Sequence, residues 1–258
     1  MRKWSNKQKP IVNLTAIPNR FILVVGAVGS GKTAASIAGF IVHSLKYTNK
    51  VFAMIAKTSM QTDTVVKREV RMVAEELGIR IVMSKPKQWI VGNNTFLFFD
   101  GNNVSSVPRI QGASWAGAYI DEVVNMPPTL MEEVDNRLRG SINAKCVMTA
   151  NPDSPSHWFK MNWVNRADDI DMAIKHLLMS DNPMADEAFK LSVQRTSLGG
   201  FYQRRVKGEW AVMSGLIYTD YRAPAPLPDK ALATQWALSV DPADSSTTHA
   251  LLLSLIHI

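Results

Sequence analysis

Apolar residues in this chain fall into short, nearly unbroken runs separated by amphipathic stretches. The runs "FILVVG" (21–26), "VFAMIA" (51–56), "AGAYI" (116–120) and "KCVMTA" (145–150) are too short for helices. They lack the alternation of a half-solvated strand, which predicts strands buried on both faces. Helical periodicity fills the gaps, from about Gly31 to Lys46 and through "TDTVVKREVRMVAEELG", where Gly78 suits a C-cap. A further helix opens at Pro127-Pro128, and the segment from Pro183 to Tyr202 reads as helical. "QWIV" and "TFLFFD" flank Gly-Asn-Asn as a hairpin would, and "AIKHLLM" supplies another strand. Such alternation predicts an α/β fold, a mostly parallel sheet flanked by helices. Beyond "KGEW" the chain turns rich in proline and turn formers before a new strand, "TQWALSVD", so residues 1–212 are expected to form one domain and 213–258 a linker and the start of another.

The sequence of 258 residues suffices for a large buried core. The balance of 29 Lys and Arg against 22 Asp and Glu, a formal +7, favours a polyanionic partner such as nucleic acid, although no basic run concentrates it. Lys67, Arg68 and Arg71 crowd one predicted helix and are expected on a solvated face. The single cysteine, Cys146, excludes a disulfide framework or a Cys-based zinc site and fits a reducing compartment. No apolar stretch reaches the roughly 20 residues that span a bilayer, and "MRKWSNKQKP" lacks the core of a signal peptide, so no membrane partner is expected.

The run Gly26-Ala27-Val28-Gly29-Ser30-Gly31-Lys32-Thr33 fits the phosphate-loop pattern G-x-x-x-x-G-K-[ST] between a predicted strand and a predicted helix. Its glycines let backbone N–H groups turn toward phosphates at a helix N-terminus. Lys32 would reach the β/γ-phosphates of ATP, and the Thr33 hydroxyl would ligate Mg²⁺. Such a loop needs a carboxylate for the metal and a group that polarises water. "AGAYIDE" offers Asp121 for the first and Glu122 for the second. Thr149 and Asn151 end the strand "KCVMTANP" at the carboxyl edge of the same sheet, where open α/β sheets bind ligands; the plainer reading of Asn151-Pro152 is a turn.

The order of "GAVGSGKT", "RIQGASWAGAYIDEV", "MTANPDSPSHWFK", "SDNPMADEAF", "YQRRVKGEWAVMSGLIY" and "WALSVDPADSSTTHA" resembles the large terminase subunit of tailed bacteriophages, the ATPase that packs viral DNA into a capsid. The resemblance implies a phosphate-loop NTPase domain of the RecA/ASCE type, followed by the first hairpin of an RNase H-like nuclease domain. It implies ATP and Mg²⁺ as cofactors, with Lys32 and Thr33 on phosphate and metal, Asp121 the metal-side acid, Glu122 the catalytic glutamate, and Thr149 and Asn151 the coupling motif. Many terminases carry an arginine inside the loop where this chain has Val28. Arg137 and Arg139 in "VDNRLRG" are the candidates to replace it as a finger toward a neighbouring subunit, unless they are solvated helix arginines. Gln8 lies upstream at the spacing where related ATPases read adenine, in competition with an ordinary surface role. The partners implied are double-stranded DNA, the portal of the procapsid, the small terminase subunit and further copies in a ring, in the host cytoplasm.

A two-metal nuclease gathers several carboxylates around ions roughly 3.5–4 Å apart. Asp241 stands where its first acid would be, and Asp244 is the one acid after it, too few to complete such a site, so this chain is expected not to cut DNA. An in-frame read of CTG TCT CTT ATA CAC ATC, a transposon-end adapter pattern, gives the terminal "LSLIHI", so residues 253–258 are expected to be non-native. Two other functions compete with a packaging motor. One is a helicase-like DNA-dependent ATPase; the other is a non-enzymatic DNA-binding assembly protein that holds nucleotide as a structural ligand. Small-molecule kinases share the loop but leave the Asp241 segment unexplained.

Overall fold

The computed structural model describes residues 2–101, 114–139, 141–212, 237–241 and 250–254, the last two segments by backbone alone. They divide into two compact units, Met1–Ser214 and Gly215–Ile258. Parts of the motif strings, residues 109–113 and 213–218 among them, lie outside the described residues.

The first unit is built on an eight-stranded sheet. Its strands are β1 (Phe21–Gly26), β2 (Val51–Ala56), β3 (Ile81–Lys85), β4 (Gln88–Val91), β5 (Asn94–Asp100), β6 (Gly117–Ile120), β7 (Lys145–Ala150) and β8 (Met172–Leu177). Their spatial order is β3-β4-β5-β2-β6-β7-β1-β8. From β5 to β8 every neighbouring pair is parallel, while β3, β4 and β5 form an antiparallel edge. This is the mostly parallel α/β sheet that the alternating pattern predicted. The β4–β5 hairpin turns through Gly92 and Asn93, and φ of +60° at Gly92 is the left-handed geometry such tight turns use. The edge strand β3 went unpredicted: its apolar run is only Ile81-Val82-Met83, and most of its side chains face solvent.

Strands β1 and β7 are buried at every position. Successive residues feed opposite layers, as the period of two requires. Ile22, Val24, Met54, Tyr119 and Val147 pack with Ile37, Phe40 and Ile41 of the helix Lys32–Ser44 on one face. Leu23, Val25, Ile55, Ile120 and Met148 pack with Leu130, Met131 and Val134 of the helix Pro128–Leu138 on the other. Burial on both faces is why these strands read as continuous apolar runs.

The helix expected from Thr62 begins earlier, at Ser59, where the Thr58 hydroxyl accepts from the Gln61 N–H at 3.2 Å. It widens to a π-helical turn over Thr62–Val66 and continues as Lys67–Glu76. Gly78 ends it as predicted: its N–H bonds the Glu75 carbonyl and that of Ile79 the Ala74 carbonyl, the paired closure of a Schellman motif. Lys67 is not on a solvated face. Its ammonium is drawn under the helix to Asp63, the Pro86 carbonyl and the rings of Trp89 and Phe98. The segment 183–202 is helical only in pieces, Glu187–Thr196 and Gly199–Tyr202.

In the second unit, β9 (Ala237–Asp241) and β10 (Ala250–Ser254) pair antiparallel, with Asp241 opposite Ala250. The side chain of Asp241 and residues 242–249 lie outside the described residues.

Candidate nucleotide site

The phosphate loop leaves the carboxyl end of β1, and β7 separates that strand from β6, so three adjacent strand ends deliver the predicted groups to one place. At Gly31 the backbone is left-handed, φ +81°, before the helix starting at Lys32, and a side chain there would press on the Gln8 amide. Glycine is therefore favoured by conformation, and any larger residue would displace the Gln8 amide.

Lys32 is nearly buried, and its ammonium donates to the carbonyls of Gly26 (3.1 Å) and Ala27 (2.7 Å) and to Asn151 Oδ1 (2.8 Å). Burial lowers its pKa from the ordinary 10.5 to about 8, against the opposing pull of Glu122 and Asp121. Asp121 Oδ1 accepts from three hydroxyls: Thr33 (3.3 Å), Tyr119 (2.7 Å) and Thr149 (2.9 Å). None of the three reaches Oδ2. A hard cation takes oxygen ligands, and the adjoining Thr33 hydroxyl and Asp121 carboxylate are the donor chemistry Mg²⁺ requires. The residues fit the ion.

Glu122 is held from two sides by Asn151, whose backbone N–H donates to Oε2 at 2.9 Å and whose side-chain amide donates to Oε1 at 2.6 Å. The Thr149 hydroxyl accepts from the Glu122 N–H at 2.9 Å. Burial pushes the Glu122 carboxyl above its usual value, Lys32 and the Asn151 N–H counter this, and Asp121 adds to it. The backbone of Glu122 is left-handed, φ +52° and ψ +57°, in a non-glycine residue. Strain of this kind costs about 1–3 kcal/mol and persists where surrounding bonds fix it. Here β7 supplies those bonds.

Asn151 thus does more than open a turn: it bridges Lys32 and Glu122, the acid beside Asp121. Thr149 likewise joins Asp121 to the Glu122 backbone. Gln8 is buried instead of lying on the surface; its amide donates to the Ser30 carbonyl (3.0 Å) and its Oε1 accepts from the Ser5 N–H (3.1 Å). Gly26, Gly29 and Ser30 lie in the loop between the strand ending at Gly26 and the helix starting at Lys32.

Arg137 and Arg139 are not brought to these groups. They pair with Glu133 and Asp135 along their own helix end. The Arg137 carbonyl accepts from Trp115, just before β6, and Asp135 also binds Arg20, just before β1. Both arginines therefore sit at the amino edge of the sheet, and the six residues of β1, roughly 20 Å of strand, separate that edge from Lys32.

Four contributors were not singled out from the sequence. Tyr119 stands two residues before Asp121 on β6, hence on the same face, and is fully buried against it. Asn182 donates to the Gly29 carbonyl at 2.8 Å, which gives "SDNP" a physical task. The Phe189 ring fills the space beside Gly29. The Arg205 carbonyl accepts from the Val28 N–H at 2.9 Å. The strings "TANPDSPSHW" and "KGEW" also meet: Ala211 N–H donates to the Asp153 carbonyl, Arg204 pairs with Asp153 at 3.1 Å, and Trp210 lies near His157.

The matching family model, described as the terminase large subunit, T4likevirus-type, N-terminal part, covers residues 23–222. The chain belongs to the large terminase subunits. Among solved structures, the large terminase of a thermophilic bacteriophage superposes with a TM-score of 0.77 at 24% identity, over 94% of this chain and 63% of that one. The same terminase in complex with ADP gives 0.75 at 23% identity, over 97% and 65%. The large terminase ATPase domain of Thermus phage P74-26 gives 0.58 at 14% identity, over 82% of this chain and 100% of that one. These likenesses speak for the fold. This terminase chain therefore spans less than two thirds of the length of the first of these relatives. No curated protein matches. Among the described residues no helix is long and apolar enough to cross a membrane.

The contact between Gly208 and the loop is open to a direct check. Gly208 has φ +66°, and an added Cβ would lie 2.6 Å from Ala27 N and 2.7 Å from Gly26 Cα. A left-handed conformation costs an L-residue about 1–2 kcal/mol before any clash. Gly208→Ala is expected to lower Tm by about 2–8 °C in thermal unfolding, with weaker ATP binding. An unchanged Tm would mean that this segment does not rest on the loop in solution.

Proposed function

We propose that this terminase chain hydrolyses ATP at the Lys32, Asp121 and Glu122 site and uses the energy to drive double-stranded viral DNA into a procapsid. The observation that carries the reading is the Lys32–Asn151–Glu122 bridge beside the Thr33–Asp121 pair, which joins the phosphate loop, the metal-side acid and a restrained base through the end of β7.

In this reading the loop N–H groups and Lys32 bind the ATP phosphates, and Thr33 and Asp121 hold Mg²⁺. When bound, the ion neutralises charge that develops on the β- and γ-phosphates. Glu122, kept basic yet partly desolvated, orients the attacking water and takes up its proton. Asn151 bonds both Lys32 and Glu122, so any movement of Lys32 onto a phosphate changes the bonds that hold the base. Gln8, bound to the Ser30 carbonyl, is a candidate to feel adenine binding and pass it to the loop. Arg137 and Arg139, remote from this site, serve as a finger only if a neighbouring copy in a ring presents them. Duplex DNA is gripped through its phosphates, consistent with the +7 charge. The portal and the small subunit are the assembly partners, and Asp241 is the first acid of an RNase H-like unit.

The test is phosphate release from ATP in Mg²⁺, with and without linear duplex DNA and a phage portal. Hydrolysis that needs Mg²⁺ and rises with duplex DNA is expected. No hydrolysis under any of these conditions would overturn the proposal, and preference for forked substrates over a portal would favour the helicase-like alternative.

A further inference from the structure

At the amino edge of the sheet, away from the nucleotide site, lies a second cavity of about 560 Å³, within the range of small-ligand pockets. Arg20, His43, Lys46 and Lys145 contribute cations or imidazole to its wall, against one lining carboxylate, Asp171. Asp171 is already engaged, accepting from Asn19 Nδ2 at 2.9 Å and the Arg20 N–H at 3.0 Å. The Lys145 ammonium is saturated by three carbonyls, Ile17 (2.6 Å), Pro18 (3.3 Å) and Asn19 (2.9 Å), so it supplies charge without a free donor.

His43 is only 4% exposed, yet neither ring nitrogen has a hydrogen-bond partner among the described residues. Buried polar groups are almost always satisfied, and each exception calls for a cause. Burial first, then Lys145 and Lys46, lower the imidazole pKa to about 4, so at neutral pH it offers one donor and one acceptor. The Arg20 Nε–H is buried and unpartnered as well, although the other arm of its guanidinium holds Asp135 at 2.8 Å. Lys46, on the exposed rim, has no side-chain partner among the described residues. Arg20 at the strand entry and His43 and Lys46 at the helix end thus line one cavity with net positive charge. Tyr47 and Ile17 add an apolar wall.

We infer that this cavity is a binding site for a phosphate group, held by Arg20 Nε, His43 and Lys46, separate from the ATP site. Free phosphate and a small organic phosphate present the same group, and the apolar wall would distinguish them.

The experiment uses the full chain carrying Lys32→Ala, which removes the phosphate-loop contact, with the His43 ring followed by NMR during titration. Inorganic phosphate and glycerol 3-phosphate are the two probes. Saturable shifts of the His43 ring are expected with at least one probe, together with about tenfold weaker binding after Lys46→Ala, the loss of one charge-assisted bond. Tighter binding of glycerol 3-phosphate would identify an organic phosphate, and equal binding free phosphate. If neither probe moves the His43 ring up to tens of millimolar, or Lys46→Ala leaves the affinity unchanged, the site does not exist as drawn. Because Lys32 is already replaced, that failure would leave the ATPase proposal untouched.

Discussion

Replacing Glu122 by glutamine is expected to lower ATP turnover by about two to four orders of magnitude while ATP still binds, since that is the range a positioned general base supplies. The change is conservative in shape but not in chemistry. Glu122 receives two hydrogen bonds from Asn151, one on each oxygen, and glutamine keeps only one acceptor. Either the Asn151 backbone N–H or its side-chain amide then faces another donor, at about 1 kcal/mol of stability. The proposed base itself is gone. A passive nucleotide-holding protein would lose the same hydrogen bond without any change in turnover, so the two readings separate cleanly. The measurement is steady-state phosphate release beside equilibrium ATP binding; turnover within a few-fold of the parent chain would show that Glu122 is not the base.

Why the site could be read from sequence, and where the reading stopped, follows from which interactions are local. Gly26 to Thr33 works through backbone geometry encoded in consecutive residues, and Asp121 follows a strand whose burial writes itself as an apolar run. Both are visible in one dimension. Asn151 was visible as a polar residue at a strand end, but its bonds to Lys32 and Glu122 depend on β7 lying between β1 and β6, a fact of strand order. Strand order is set by crossover topology and leaves no mark in a single strand's sequence. The burial of Gln8 and Lys67 was not legible for a related reason. Polar residues are presumed to face solvent unless a partner is known, and their partners, the Ser30 and Pro86 carbonyls, are backbone groups with no sequence signature. Where Arg137 and Arg139 stand was not legible either: the helix Pro128–Leu138 carries them back along the sheet to its amino edge, away from this chain's own loop, which leaves the expected finger toward a neighbouring subunit as a proposal. The cavity around His43 left no trace at all, because its residues come from well-separated segments of the chain.

The loop lysine carries a second large effect, this one on stability. Lys32 is charged in a nearly dry site, and burial outweighs the attraction of Glu122 and Asp121, so its folded pKa falls to about 8 from 10.5. Below pH 8 it is protonated in both the folded and unfolded chain, and the full cost of burying the charge is borne. Between pH 8 and 10.5 the folded chain sheds the proton while the unfolded chain keeps it. The unfolded state then binds more protons, so stability must rise with pH across that window, by about 3 kcal/mol from this residue alone. Lys32→Met removes the titrating group and is expected to flatten that rise by the same amount, while ATP turnover is lost with the phosphate contact. Chemical denaturation of both proteins at several values between pH 7 and 10.5 gives the difference directly, with every other lysine and tyrosine cancelling between them. An identical pH slope in the two would mean that Lys32 is hydrated in solution and not held against the Gly26 and Ala27 carbonyls. Its bond to Asn151, and with it the coupling between the loop and Glu122, would then fail as well. The stability curve of one lysine therefore tests the same contact on which the proposed turnover depends.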